Sequence, residues 1–281
     1  TLMIVSLGRY SDAPLALVDS GISGETATTE MANAVTYTSM GGITVIWVGF
    51  RFESSHSVVD ASNNAAITVF INCGFTRAGT PGDGNQLVAS AGTTGNIETY
   101  LFNCVSLNQI DVVNYDGPVF VATRNCDFAG DLAVTSSATN SMEVSCWHTK
   151  ARRFAIGRIL FLTMIGCSRD SSAAAVLDVN LVDGSRVRVV GGEFGSTTTN
   201  DGLILTMVAS ATASVQITGN WIDGAAGVGS QAVYLDASAV GSVLRGIVQG
   251  NYFQDWATGV QFAGTPAAGD DFVVGPNAFA N

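Results

Sequence analysis

Short apolar runs alternate with small polar turns along most of this chain. One set of runs reads ITVIWV (43–48), AITVFI (66–71), TYLF (99–102), VFVAT (119–123), MEV (142–144), LFLTMI (160–165), VRVV (187–190), VQIT (215–218), LRGIVQ (244–249) and DFVV (271–274). A second set reads SVVD (57–60), QLVA (86–89), DVVN (111–114), LAVT (132–135), FAIG (154–157), AVLD (175–178), LILT (203–206), VYLD (233–236) and VQFA (260–263). Such runs, rich in Val and Ile and bounded by Gly, Ser, Asn and Thr, predict strands. No segment carries a sustained helical period.

Between the two sets lies a four-residue box. Boxes begin at Gly49, Asn72, Asn103, Asn125, Ser145, Gly166, Gly191, Gly219, Gly250 and Pro276, and read GFRF, NCGF, NCVS, NCDF, SCWH, GCSR, GGEF, GNWI, GNYF and PNAF. A unit recurring every 20 to 31 residues predicts a solenoid, in which each coil touches its neighbours and the core grows along an axis. Parallel crossovers are right-handed by default. The expected fold is an all-β, right-handed parallel β-helix of about ten to eleven coils over residues 43–281. Residues 1–42 are expected to form an irregular coil or loop leading into it. Within them, Ser6–Arg9 reads as an earlier box, Ala16–Asp19 as an earlier second strand, and 21–42 as a long loop or a short helix around Thr29–Ala34.

Places two and four of a box point the same way in an extended segment. Place two holds Phe50, Cys73, Cys104, Cys126, Cys146, Cys167, Gly192, Asn220, Asn251 and Asn277. Five thiols are thus expected in one inward column, as small buried hydrophobes. Their closest spacing is 20 residues, unlike the paired cysteines of zinc motifs. No metal or cofactor is expected. Asn at the same place is expected to stack and hydrogen-bond along the axis. Place four is largely aromatic, with Ser106, His148, Arg169 and Ile222 departing from Phe.

Composition narrows the function. Charged residues are 12% of the chain, against roughly 25% in ordinary soluble proteins. The net charge of −11 disfavours DNA and anionic membranes, and no apolar run approaches the ~18 residues that would span a bilayer. No nucleic-acid or membrane partner is expected.

Three constellations could carry chemistry. His148 and Arg169 interrupt the aromatic column beside the basic residues Lys150, Arg152, Arg153 and Arg158, and could act on an acidic sugar. The plainer reading is a one-residue slip of that box, which turns Trp147 inward and His148 and Arg169 outward. Asp178 and Asp236 end second runs two coils apart. At ~9.6 Å they approach the ~6.5–9.5 Å separation of an inverting glycosidase. The plainer reading is that each aspartate bonds to the next turn. Finally, Trp221, Tyr252 and Trp256 cluster near the eighth and ninth boxes. Place-three residues Trp221 and Tyr252 are expected outward on adjacent coils, suited to sugar rings or to a subunit interface.

With ten boxes of the GNYF type and the ending VVGPNAFAN, the chain resembles the pectate-lyase-like parallel β-helix superfamily. That superfamily includes polysaccharide lyases and hydrolases and the tailspikes and tail fibres of bacteriophages. The acidic calcium cluster and catalytic arginine of pectate lyases have no residue-by-residue match here, so no catalytic residue is carried over. The phage members imply a homotrimeric, receptor-binding virion protein that contacts other virion proteins and recognises a host surface glycan. The opening at Thr1 reads as part of a longer chain. A polysaccharide depolymerase on the same fold and an extracellular bacterial adhesin are the alternatives.

Overall fold

A computed structural model describes residues 2–5, 29–31, 35–36, 43–52, 59–60, 66–75, 85–91, 95–107, 109–114, 117–136, 142–169, 175–195, 202–224, 231–264 and 269–280. These residues form an all-β, right-handed parallel β-solenoid. The chain divides into two compact units, residues 1–140 with 149–151, and residues 141–148 with 152–281. The expected box at Ser6–Arg9 and the strand at Ala16–Asp19 lie outside the described residues. Thr29–Met31 is a strand paired in register with Phe50–Phe52, not a helix.

In the first unit, Ile43–Val48, Ala66–Ile71, Ile97–Phe102 and Val119–Arg124 stack in parallel with unbroken register. Gln109–Asn114 pairs with Leu132–Ser136 on one side and with Asn85–Ala91 on the other. The boxes form a separate sheet of very short strands. In the first unit it includes Phe50–Phe52, Gly74–Phe75, Val105–Ser106, Asp127–Phe128 and Lys150–Ala151. In the second it includes Ser168–Arg169, Glu193–Gly195, Trp221–Asp223, Tyr252–Gln254 and Ala278–Ala280.

From Gly49 to Gly250 the boxes work because place one takes a left-handed backbone, which Pro276 at the start of the last box cannot adopt. Gly49, Asn72, Asn103, Asn125, His148, Gly166, Gly191, Gly219 and Gly250 all have φ between 47° and 74°. Glycine meets no steric penalty there, and Asn and His are among the side chains most tolerant of it. This corrects the fifth box. It is not SCWH but HTKA, three residues later: His148 takes the turn, and Thr149 and Ala151 fill places two and four, both buried. Cys146 therefore lies in the preceding strand, Met142–Trp147, aligned with Met164. Trp147 alternates outward in that strand and is half-buried. Place two thus holds four cysteines and a threonine.

Place four supplies the largest core side chains. In the first unit Phe52 stacks on Phe75 at 5.4 Å and 12°, with Trp47 and Phe70 packed edge-on. Phe194, Ile222 and Phe253 are buried at the same place in the second unit. Burying each such side chain contributes about 1.5–3 kcal/mol.

The place-two column has its own chemistry. The Cys104 thiol donates to the Phe102 carbonyl two residues back and to the Phe70 carbonyl of the preceding coil. Cys73, Cys126 and Cys167 repeat the pattern. All five cysteines are free and buried, and burial pushes the Cys104 thiol well above its ordinary pKa, which keeps it a donor. Asn220, Asn251 and Asn277 donate Nδ2 to the same two kinds of carbonyl. They add an acceptor: their Oδ1 atoms take the backbone N–H of Gly192, Asn220 and Asn251 respectively.

Candidate functional site

The two aspartates expected to share one column, Asp178 and Asp236, are out of register. Leu177, Leu203 and Val233 share one inward column, and this fixes the register. Asp178 then aligns with Ala155 and Ile204, whereas Asp236 aligns with Thr206 and Ala263. The two aspartates are two coils apart and also two residues out of step, so their Cα atoms are separated by ~12 Å. Asp178 is instead held by Arg153, Nη2 to Oδ2 at 2.8 Å, on the surface. Asp236 Oδ1 accepts the N–H of Ser238 at 2.9 Å, the turn-closing role that aspartate commonly takes.

His148 and Arg169 occupy different places. His148 is exposed at a turn, its ring over Gly166, where an added Cβ would lie 2.6 Å from Nδ1. Arg169 stands at place four, and its terminal guanidinium nitrogens are shielded from solvent. The expected one-residue slip does not occur: the box shifts by three residues, Trp147 faces outward, and of the outcomes expected only the exposure of His148 is found. Neither residue joins Asp178, which is bound to Arg153.

The aromatic cluster separates into a surface pair and a core residue. Trp221 and Tyr252 are register neighbours on the outer face of the short-strand sheet, with ring centroids 4.7 Å apart and planes at 52°. Trp221 is 49% exposed, about half of the residue left open beside a second ring. Trp256 is buried at 6% and is not part of this face. The left-handed backbone at Asp255 swings it inward onto Gly224, and its Nε1 donates to the Ile222 carbonyl at 2.9 Å.

The residues around the pair are acidic and polar. Glu193 precedes Trp221 in the same column, and Ala278 follows Tyr252. Two residues along, Gly195, Asp223, Gln254 and Ala280 form the next outward column. Gln254 Nε2 approaches Asp255 Oδ2 at 3.4 Å. The Asp223 carboxyl is raised above its ordinary pKa, first by burial, then by the charge of Asp255; the Gly224 N–H opposes the shift and Glu193 adds to it. Asp223 Oδ1 is shielded and has no hydrogen-bond donor among the described residues. Glu193, Asp223, Gln254 and Asp255 were not singled out from the sequence. The signal for the first three was box parity, since places three and five must face outward wherever places two and four face inward.

Among the described residues no group of three or more His, Cys, Asp or Glu side chains is placed to hold a metal ion. The fold is that of an all-β right-handed parallel β-helix, consistent at the fold level with the pectate-lyase and tailspike superfamily. Comparison with protein-family models, with curated proteins and with solved structures finds no match.

Proposed function

We propose that this β-helix is the receptor-binding part of a bacteriophage tailspike or tail fibre, docking a host surface polysaccharide on its Trp221–Tyr252 face. The observation that supports this is the aromatic pair on adjacent coils, an exposed Trp221 beside a half-buried Tyr252. The apolar face of a sugar ring stacks on such rings, and neighbouring Glu193, Asp223 and Gln254 offer hydrogen-bond partners for hydroxyl groups. Coils ~4.8 Å apart present a linear array, which matches an extended polymer better than a single small ligand. Binding is favoured over cleavage because Asp178 is engaged by Arg153 and Asp236 closes its own turn. In this reading the protein acts in the virion as a homotrimer alongside other virion proteins.

The test is a screen of bacterial surface glycans by tryptophan fluorescence, comparing the native chain with Trp221→Ala and Tyr252→Ala. Saturable binding that both variants weaken at least tenfold supports the reading; no binding, or binding that both variants retain, refutes it. Light scattering on the same preparation tests the trimer separately, and a monomer would overturn that part.

A further inference from the structure

The charge around the aromatic pair specifies the ligand further. We infer that the Trp221–Tyr252 face takes a saccharide carrying a positive charge, an amino sugar with a free amine. This rests on the reading of that face as a carbohydrate platform. Two independent features point to a cation. The faces of Trp and Tyr attract ammonium groups through the ring quadrupole. Around them stand three carboxylates: Glu193 on the coil before Trp221, Asp223 two residues beyond Trp221, and Asp255 close enough to raise the Asp223 carboxyl.

From Ser168 onward in the second unit the paired members of these columns include no cation: they are Ser168, Glu193, Trp221, Tyr252 and Ala278 in one and Gly195, Asp223, Gln254 and Ala280 in the next. The exposed arginines Arg186, Arg188 and Arg245 of the same unit stand on strands of the other sheet. An anionic sugar such as a uronate would bring its charge against like charges here. An ammonium group would relieve them, with the exposed Glu193 carboxylate beside Trp221 as its acceptor.

The probes are three oligosaccharides of equal length: chitosan oligomers, which carry free amines; their N-acetylated counterparts, which are neutral; and oligogalacturonates, which are anionic. The expected order of affinity is chitosan, then N-acetylated, then oligogalacturonate. Glu193→Gln and Asp223→Asn should each weaken chitosan binding about two- to five-fold, and Trp221→Ala at least tenfold. Asp183→Asn and Asp271→Asn, on the other sheet, should leave it unchanged, which separates a site from general attraction to a chain of charge −11.

Each failure has a distinct meaning. If the neutral or anionic probe binds more tightly and Trp221→Ala abolishes it, the platform stands and the cationic specificity is wrong. If chitosan binds but every acidic variant weakens it alike, the attraction is diffuse and the inference is overturned. If none of the probes binds, the cationic specificity is overturned, and the wider glycan screen decides whether the platform itself survives.

Discussion

Asn251 Oδ1 accepts two hydrogen bonds from Asn220, one from the backbone N–H at 3.0 Å and one from Nδ2 at 2.9 Å. Asn251 Nδ2 meanwhile donates to the carbonyls of Ile217 and Gln249. The thiol of Cys104 makes the equivalent donations without the acceptance. Cysteine and asparagine thus solve one problem at place two, which is to cap inward carbonyls of the turn.

The stability of Asn251 variants should follow from that division. Asn251→Ala removes both donor and acceptor and leaves buried groups without partners, at about 2–4 kcal/mol. Asn251→Cys keeps a donor for the carbonyls but strands the Asn220 N–H, so its loss should be smaller. Urea unfolding should rank native, then Cys, then Ala. A Cys variant as unstable as Ala would show that the axial acceptance carries the whole effect.

Thr149 gives a second case. Its Oγ1 lies 2.9 Å from Thr123 Oγ1, both buried. Thr149→Val leaves the Thr123 hydroxyl without this partner and should cost about 1–3 kcal/mol. The double variant Thr123→Val/Thr149→Val removes both hydroxyls and should recover part of that loss. Additive losses in a denaturation cycle would refute the coupling.

The turn at the boxes from Gly49 to Gly250 was legible because its chemistry is local: a left-handed residue must be Gly, Asn or a similarly tolerant side chain, whatever the rest of the coil does. The fifth box was misread because a cysteine at Cys146 matched the spacing, although Ser145 has no special tolerance for that turn and His148 does. The register of Asp178 was not legible from the ends of the runs. AVLD and VYLD both end in Asp, but inward Leu177 pairs with Leu203 and Val233, and burial of these leucines and valine overrides the matched ends. Irregular register around Ile156–Arg158 and Ile159–Phe161 further defeats counting. The outward pair Trp221 and Tyr252 followed from parity, whereas the inward turn of Trp256 depends on the left-handed Asp255, which no spacing rule announces.

Gly246 occupies a run that reads as an ordinary strand, yet its φ is 147° and a Cβ there would run into the carbonyl of Val215 on the preceding coil. Both the backbone and the space exclude a side chain. Gly246→Ala should therefore cost about 3 kcal/mol or more, far beyond the ordinary effect of Gly-to-Ala in a strand. Thermal unfolding measures it. A neutral substitution would mean that the two coils separate at little cost.

Asp223 makes the stability of the second unit depend on pH. Its folded carboxyl is raised by burial and by Asp255 and Glu193, so above the ordinary aspartate pKa of about 4 the folded chain holds this proton more tightly than the unfolded chain. The unfolded state then binds fewer protons, and this group's contribution weakens stability as pH rises through that window. Asp223→Asn removes the like-charge repulsion, and the Gly224 N–H keeps its bond to the Gln254 carbonyl. The variant should unfold at a higher temperature than the native chain at neutral pH, and the difference should shrink as pH falls toward and below the ordinary aspartate range. A variant less stable at neutral pH would show that the Asp223 charge is stabilised by a partner, and the repulsion argued from Asp255 and Glu193 would fall with it.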